Sequence, residues 1–422
     1  MVLASGFSEK RLENIDTHLQ RLVDNKEVAG VGALVIRHGE TAYRKSFGYG
    51  NIENGQKLEN DAIYRIFSMS KTFTAVAIMT LYEKGLFKLS DPIYEFLPAF
   101  KDTKVAEVDE RGISRPVPPK SPITVEHVLT MTSGIPYAGE NSTGGRAFMD
   151  IMAKRDEDAA KGVYWNAMKM MEEAATVPLC FHPGEYWMYG FSMDVVGGLV
   201  NAISGKSLGR YLEEVFYKPL GLKDTGFYLP LEKYKRMAGT YRWSPGELVL
   251  IPDTLPPDSS VPGMENISGR MLNNRLMFNK VMLDETPPFE SGGAGMLSTL
   301  DDIGAFAMML LRNGKSGDER ILSRKTVDLI RRKHVMPHVK PYSFEQIAGY
   351  GYGLGVRTLI DPVAAGINGS VGEWAWDGAA GTWYAIDPEE DLVMVFMIQR
   401  FPGGHSDLPK RFAQTVYGAF DD

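Results

Sequence analysis

Strand-like segments lie near both ends of this chain of 422 residues, and a long mixed region of helices and loops separates them. Near the N-terminus, residues 31–37 and 41–47 have the composition of two strands joined by a short turn. Near the C-terminus, residues 382–387 and 392–399 have the same character. We therefore predict that the two ends of the chain build one sheet.

Helical periodicity completes this outline and predicts the fold class. Residues 68–84 are rich in apolar residues that suit a helix, and a glycine follows them. The predicted class is α+β, an antiparallel sheet flanked by helices, with an inserted, mostly helical domain. We place the sheet domain at 1–90 and 290–422 and the inserted domain at 91–289. Its longest loop, 243–288, carries seven prolines and is expected to wrap over a surface or to form a lid.

Composition and charge exclude several classes of protein. The formal net charge is -7 and there is no run of Lys or Arg, which argues against nucleic acid as the main partner. No apolar run approaches the roughly 18 residues that a membrane helix needs. The N-terminus has no basic segment followed by an apolar stretch, so we expect no secretory signal and a cytoplasmic protein. The single cysteine, Cys180, excludes an intrachain disulfide.

Metal and phosphate sites are not indicated by the sequence. The seven histidines include no HExxH pair, and His334 and His338 have no carboxylate nearby in sequence to complete a metal site. No Walker A pattern occurs, and the glycines of 349–355 do not fit GxGxxG. We therefore predict neither a metal nor a cofactor.

One short pattern could carry chemistry. Ser68 and Lys71 form the only S-x-x-K of the chain, at the start of the helix predicted for 68–84. A separation of three residues on a helix puts the hydroxyl and the amine on one face, within contact range. The N–H groups of a helix N-terminus stabilise negative charge, and a lysine partly stripped of water can lose its proton near neutral pH. Because about one or two such patterns occur by chance in a chain of this size, the pattern needs its context.

The context is a series of blocks in a defined order. They are GALVIRHGE, FSMSKTFTAVAIMTLYEKGLFKLSDPI, ITVEHVLTMTSGIPY, FHPGEYWMYGFSMDVVGG, SGGAGMLSTLDDIGAFAMMLL and WAWDGAAGTWYAIDP. In these blocks the chain resembles the serine β-lactamase and penicillin-binding-protein superfamily, most closely the class C-like branch that includes the family VIII carboxylesterases. The order and spacing of the blocks are far more specific than any one of them. The resemblance implies a β-lactamase-like fold.

The resemblance also implies roles for three residues. Ser68 matches the nucleophile of the family, and Lys71 matches its partner on the helix. Tyr189 falls where the family has the tyrosine of its second motif. There it would share a proton with Lys71 and pass it to the leaving alkoxide. This tyrosine would act as a base if the neighbouring ammonium favoured the phenolate.

The segment Trp376-Asp377-Gly378 occupies the third motif of the family. The backbone N–H of Ala379 would join that of Ser68 in an oxyanion hole, and a side chain at Gly378 would crowd the approaching carbonyl. The lysine that meets a β-lactam carboxylate is absent, which favours neutral esters. Strand alternation should turn Asp377 to the face opposite Trp376, so we expect an indirect effect of its charge. The residues expected to bind substrate are Trp376, Gly378, Tyr137, Trp187 and Trp383.

These matches predict a serine hydrolase that cleaves short- to medium-chain carboxylic esters through an acyl-serine intermediate. A β-lactamase, a D-amino-acid peptidase, an amide hydrolase or an acyltransferase of the same fold are the alternatives with the same chemistry. A non-catalytic binding module of this fold is a further alternative, although it would be expected to lose Ser68, Lys71 or Tyr189. The expected partner is a small-molecule ester, with no nucleic acid and no membrane.

Overall fold

The computed structural model describes residues 3–251, 289–332, 334–335, 339–342, 348–403 and 407–422. Most of the loop predicted at 243–288, and with it the proposed lid, therefore lies outside the described residues.

The described helices and strands are numbered in chain order. The α-helices are α1 Glu9–Asp24, α2 Ser70–Glu83, α3 Val125–Leu129, α4 Thr143–Ala160, α5 Ala167–Ala174, α6 Ser192–Ser204, α7 Leu208–Leu212, α8 Lys218–Leu220, α9 Leu300–Leu311, α10 Arg324–Arg331, α11 Pro362–Ala365 and α12 Leu408–Tyr417. The strands are β1 Gly30–Arg37, β2 Glu40–Asn51, β3 Gln56–Lys57, β4 Tyr64–Arg65, β5 Val105–Val108, β6 Ser114–Val117, β7 Tyr186–Trp187, β8 Tyr241–Ser244, β9 Glu247–Leu250, β10 Leu297–Ser298, β11 Lys315–Ser316, β12 Glu319–Arg320, β13 Lys340–Pro341, β14 Tyr350–Tyr352, β15 Arg357–Leu359, β16 Trp374–Asp377, β17 Trp383–Asp387, β18 Leu392–Met397 and β19 Arg400–Phe401.

Eight antiparallel strands form the main sheet, in the order β14–β15–β16–β17–β18–β1–β2–β3. Strands β1 and β18 join the two ends of the chain, with Leu34 opposite Val395. The predicted α+β class, an antiparallel sheet flanked by helices, is thereby confirmed. The division into domains at 1–90 with 290–422 and at 91–289 stays a prediction.

Helices cover the sheet on both faces. Every residue of β18 is buried, which explains why its sequence, LVMVFM, is apolar throughout rather than alternating. Val393, Val395 and Met397 belong to the core cluster that contains α2 and α9 residues. Their neighbours Leu392, Met394 and Phe396 belong to a second cluster, which includes the buried stripe of α1 and residues of α12.

The middle of the chain holds α3 to α8 and two small hairpins, β5–β6 and β8–β9. The second hairpin begins at Tyr241 and ends at Leu250, where the sequence indicated an irregular loop from residue 243. Strand β8 is extended by parallel pairing with β19, where Tyr241 lies opposite Arg400. This pairing joins residues about 160 positions apart, so local composition could not reveal it.

Candidate active site

Ser68 lies in a tight turn that precedes the central helix. The turn is a 3-10 helix over Phe67–Met69, and α2 begins at Ser70, two residues later than predicted. Phe67 has a φ of 45°, a left-handed conformation that is strained by ~1–2 kcal/mol for a bulky residue. Phe67 and Met69 are buried, whereas Ser68 is half-buried. The turn therefore leaves Ser68 as its accessible residue.

Lys71, in the first turn of α2, contacts Ser68 as its spacing predicted. Its Nζ lies 3.0 Å from Ser68 Oγ and donates a hydrogen bond of 2.6 Å to the carbonyl oxygen of Gly293. The side chain is fully buried. Burial disfavours the ammonium and lowers the pKa of Lys71 to about 7, against the opposing charges of Asp194 and Asp377. Lys71 can therefore gain and lose a proton near neutral pH.

Tyr189 lies on the other side of this amine, three residues before α6. Its ring centroid is 4.7 Å from Lys71 Nζ. Burial raises the pKa of Tyr189 well above its usual value, while its hydrogen bond with Ser68 lowers it by a smaller amount. The phenol therefore keeps its proton at neutral pH. The phenolate base that the sequence suggested is disfavoured, and Lys71 is the group of this pair that titrates near pH 7.

The loop after β16 packs directly against the Ser68 turn. Gly378 N–H donates to the carbonyl oxygen of Thr382 at 2.8 Å, and the Thr382 hydroxyl donates to the carbonyl oxygen of Ile66 at 3.3 Å. A Cβ at Gly378 would lie 2.2 Å from Thr382 Oγ1 and 2.5 Å from the Ile66 oxygen. The packing of the protein itself therefore requires glycine here, and the expectation that Gly378 also leaves room for a substrate carbonyl stays a prediction. Ala379, whose N–H was predicted to bind an oxyanion, follows in the same loop and is half-buried.

Aromatic side chains surround Tyr189, and three of them, Tyr137, Trp187 and Trp376, were predicted from the sequence to bind substrate. The ring of Tyr189 lies 5.7 Å from Tyr137, 6.4 Å from Trp187 and 5.8 Å from Trp376 between centroids. Tyr352, which the sequence did not single out, lies 5.4 Å from both Trp187 and Trp376. We call Tyr137, Trp187, Tyr352 and Trp376 the aromatic wall. It provides an apolar surface beside Lys71.

Trp383 does not reach this wall. It packs against Phe412 of α12 at 6.4 Å and belongs to the core cluster on the other face of the sheet. Trp376 belongs to the cluster on the α2 face. The expectation that Trp383 lines the pocket is therefore wrong, because side chains of a strand alternate between faces and the register places Trp383 opposite Asp377 rather than opposite Trp376.

Asp377 is paired with a cation on the neighbouring strand, and the expected indirect effect of its charge stays a prediction. Its carboxylate forms an ion pair with Arg357 Nη1 at 2.8 Å. The guanidinium carbon of Arg357 lies 5.7 Å from the centroid of the Trp376 ring. Arg357 is buried, and the charge of Asp377 raises its pKa against the opposing effect of burial. The positive charge of Arg357 beside the aromatic wall is thus balanced by the carboxylate of Asp377.

Two residues that support Lys71 were missed by the sequence reasoning. Gly293 provides the carbonyl that accepts from Lys71, and Asp194 in the first turn of α6 accepts a hydrogen bond from Gly293 N–H at 3.2 Å. Both residues lie within blocks that carried the family resemblance, SGGAG and FSMDVVGG. The resemblance therefore indicated that these segments matter, but it did not indicate which of their residues contact Lys71.

The described residues include neither a candidate metal cluster nor a helix suited to span a membrane. In the described ranges, no three His, Cys, Asp or Glu side chains are grouped so that they could hold a metal ion. His334 instead contacts Glu126 Oε1 at 3.3 Å and the carbonyl oxygen of Leu329 at 2.7 Å, and His338 lies outside the described ranges. Of the helices in the described part, none combines the length and the apolar character needed to span a membrane.

Comparison with known proteins covers nearly the whole chain. A family model described as Beta-lactamase matches residues 15–418. Esterase EstB of Burkholderia gladioli is 27% identical over 408 residues, which covers 96% of this chain and 94% of that protein. The lovastatin esterase of Penicillium rubens is 26% identical over 429 residues, covering 95% of this chain and 96% of that protein. Among solved structures, EstCE1, described as a hydrolase with promiscuous acyltransferase activity, superimposes with a TM-score of 0.74 at 24% identity, covering 97% and 99% of the two chains.

Proposed function

Because the chain belongs to the beta-lactamase family of serine hydrolases, we propose that it is a carboxylesterase that cleaves short- to medium-chain esters through an acyl intermediate on Ser68. The observation that carries this proposal is the distance of 3.0 Å between Lys71 Nζ and Ser68 Oγ. With a pKa of about 7, Lys71 is present in large part as the neutral amine at neutral pH. A neutral amine at this distance can accept the proton of the attacking hydroxyl.

Acylation proceeds through one tetrahedral intermediate. The Ser68 proton passes to Lys71 Nζ while Ser68 Oγ bonds to the ester carbon, and the electron pair of the carbonyl moves to its oxygen. The backbone N–H groups of Ser68 and Ala379 stabilise this oxyanion. When the carbon–oxygen bond to the alcohol breaks, Tyr189 donates its proton to the alkoxide and regains one from the Lys71 ammonium. Water then attacks the acyl group by the same steps and releases the acid.

The surroundings of Ser68 support neutral esters as substrates. The aromatic wall offers an apolar surface, and Arg357 beside it is paired with Asp377 at 2.8 Å. A substrate carboxylate would have to compete with that ion pair. The relatives named above as esterases support the same class of substrate.

The test compares the native protein with Ser68→Ala on p-nitrophenyl butyrate and on nitrocefin. We expect the native protein to hydrolyse the ester with a much higher kcat/KM than the lactam, and the variant to hydrolyse neither. A fluorophosphonate probe should label the native protein and not the variant. Ester hydrolysis by Ser68→Ala would refute the assignment of the nucleophile, and a preference for nitrocefin would favour a β-lactamase.

Acyl transfer is the second candidate, and the description of EstCE1 as a hydrolase with acyltransferase activity supports it. An alcohol that occupies the place of water would attack the same acyl-serine and leave as a new ester. Adding a primary alcohol to the hydrolysis reaction and separating the products measures this partition. An ester product that grows with alcohol concentration would support transfer, and release of acid alone would limit the activity to hydrolysis.

A further inference from the structure

Asp194 is a buried carboxylate that takes no part in the bond changes described above. It lies in the first turn of α6 and is 2% exposed. Its Oδ1 accepts a hydrogen bond of 2.5 Å from Ser291 Oγ and one of 3.2 Å from Gly293 N–H. Burial raises the pKa of Asp194, and Ser291, Lys71 and Gly293 each favour its charged form. A carboxylate held in this way needs a reason to be buried.

The segment that Asp194 holds is also fixed from the opposite side. The carbonyl oxygen of Gly292 accepts a hydrogen bond of 2.8 Å from Thr74 Oγ1 of α2. A Cβ at Gly293 would lie 2.3 Å from Asp194 Oδ2, so only glycine lets the backbone approach this closely. The position of the Gly293 carbonyl is therefore determined by contacts with α2 and α6.

That carbonyl in turn orients the Lys71 amine. A neutral amine has two N–H donors and one lone pair. Because one N–H of Lys71 is directed to the carbonyl oxygen of Gly293 at 2.6 Å, the rotation of the amine is restricted. The lone pair can then face Ser68 Oγ, 3.0 Å away.

We propose that Asp194 is a positioning residue for the acylation of Ser68, which holds the Gly293 carbonyl against Lys71 and stabilises the ammonium that forms when Ser68 gives up its proton. This inference rests on the proposed function. In the step itself the proton moves from Ser68 Oγ to Lys71 Nζ, and Asp194 neither gains nor loses a proton. Its charge makes Lys71 a stronger base than burial alone would leave it.

The charged and titratable groups that face Lys71 come from several elements. Asp194 on α6 and Asp377 on β16 both raise the pKa of Lys71. The rings of Tyr137 and Tyr189 lie 5.6 Å and 4.7 Å from its Nζ, and both phenols keep their protons because burial raises their pKa values. Removing the charge of Asp194 should therefore lower the pKa of Lys71 further, with Asp377 left as the opposing charge.

The test is the pH dependence of kcat/KM for p-nitrophenyl butyrate in Asp194→Asn. In the native protein the activity should fall below pH about 7, where Lys71 becomes protonated. We call this fall in activity at low pH the acidic limb. In the variant the acidic limb should move to lower pH by about one unit or more, since loss of a nearby negative charge lowers the pKa of a lysine by roughly 1–3 units. The plateau should fall roughly three- to tenfold, because a weaker base transfers the proton less well.

Asp302→Asn is the matched control. Asp302 is also a buried carboxylate that accepts from a backbone N–H, of Asp224 at 2.8 Å, and from a hydroxyl, of Thr225 at 2.7 Å. It is not among the charges that act on Lys71. This variant should keep the native acidic limb, even if it unfolds at a lower temperature. An unchanged limb in Asp194→Asn, or the same shift in Asp302→Asn, would overturn the inference.

A second variant keeps the inference testable if Asp194→Asn does not fold. Ser291→Ala retains the carboxylate and removes one of the two hydrogen bonds to it, so kcat should fall while the acidic limb stays near its native position. An unchanged kcat would refute the positioning role. These outcomes are distinct from failure of the proposed function, in which the native protein itself would show no Ser68 labelling and no ester hydrolysis.

Discussion

Lys71→Met should abolish catalysis and stabilise the folded protein at neutral pH. Lys71 is fully buried, and its pKa falls from 10.5 to about 7 on folding. At 1.36 kcal/mol per pKa unit, a difference of about 3.5 units corresponds to about 5 kcal/mol of stability lost at pH 7 and below. Methionine fills a similar volume without this penalty.

Lost hydrogen bonds offset part of the gain. Lys71 donates to the carbonyl oxygen of Gly293 and contacts Ser68 Oγ. Such a bond contributes about 1 kcal/mol, and a buried carbonyl left without a donor costs about 1–3 kcal/mol. The net stabilisation expected for Lys71→Met is therefore about 2 kcal/mol at pH 7.

The stability that Lys71→Met gains over the native protein should depend on pH. Between pH about 7 and pH 10.5 the unfolded Lys71 binds a proton that the folded Lys71 does not. The native protein therefore gains stability with rising pH, relative to the variant, by up to about 1.4 kcal/mol per pH unit. Below pH about 7 the difference between the two proteins should be constant, since Lys71 is then protonated in both states.

Urea unfolding of the native protein, Lys71→Met and Ser68→Ala at pH 6, 7.5 and 9 measures this difference. Between pH 7.5 and pH 9 the free-energy advantage of Lys71→Met should shrink by about 2 kcal/mol. Ser68→Ala is the control, because it lacks the proposed nucleophile and keeps Lys71, so it should follow the pH dependence of the native protein. An advantage that stays constant from pH 6 to pH 9 would refute the lowered pKa and with it the assignment of Lys71 as the base.

Two further predictions concern the aromatic residues. Tyr189→Phe should lower kcat by roughly 10²–10⁴-fold and leave the acidic limb of kcat/KM in place, because Tyr189 donates a proton and Lys71 titrates; a displaced limb would instead make Tyr189 the base. Trp376→Ala should change the preference among p-nitrophenyl esters from acetate to octanoate, since Trp376 belongs to the aromatic wall. The control, Trp383→Phe, should keep the native preference and lower only the free energy of unfolding. A changed ester preference in Trp383→Phe and an unchanged one in Trp376→Ala would contradict the faces of the sheet assigned to these two side chains.

Local spacing was enough to predict several parts of this protein. The apolar residues of 68–84 and the glycine that follows them predicted the helix α2, which is Ser70–Glu83. The separation of three residues between Ser68 and Lys71 predicted their contact. Strand composition at both chain ends predicted strands that belong to the antiparallel sheet. These features depend on residues close together in the sequence, whose geometry the helix and strand periods determine.

Other features depend on how distant segments meet. The expectation for Trp383 failed because composition does not say which face of a strand meets which layer of helices. One of the two contacts that require glycine at position 378 is with Ile66, more than 300 residues away in the chain. The ion pair between Arg357 and Asp377 joins two neighbouring strands whose register the sequence did not reveal.

The sequence by itself determined which side chains could react: a hydroxyl at residue 68, an amine three positions later and a phenol near the start of a later helix. The tertiary structure alone decided their protonation. The pKa of Lys71 depends on complete burial and on the charges of Asp194 and Asp377, which are both distant from Lys71 in the sequence. Burial and distant charges arise only when the chain has folded, so the packing, and not the motif, decides which of these groups can titrate near neutral pH.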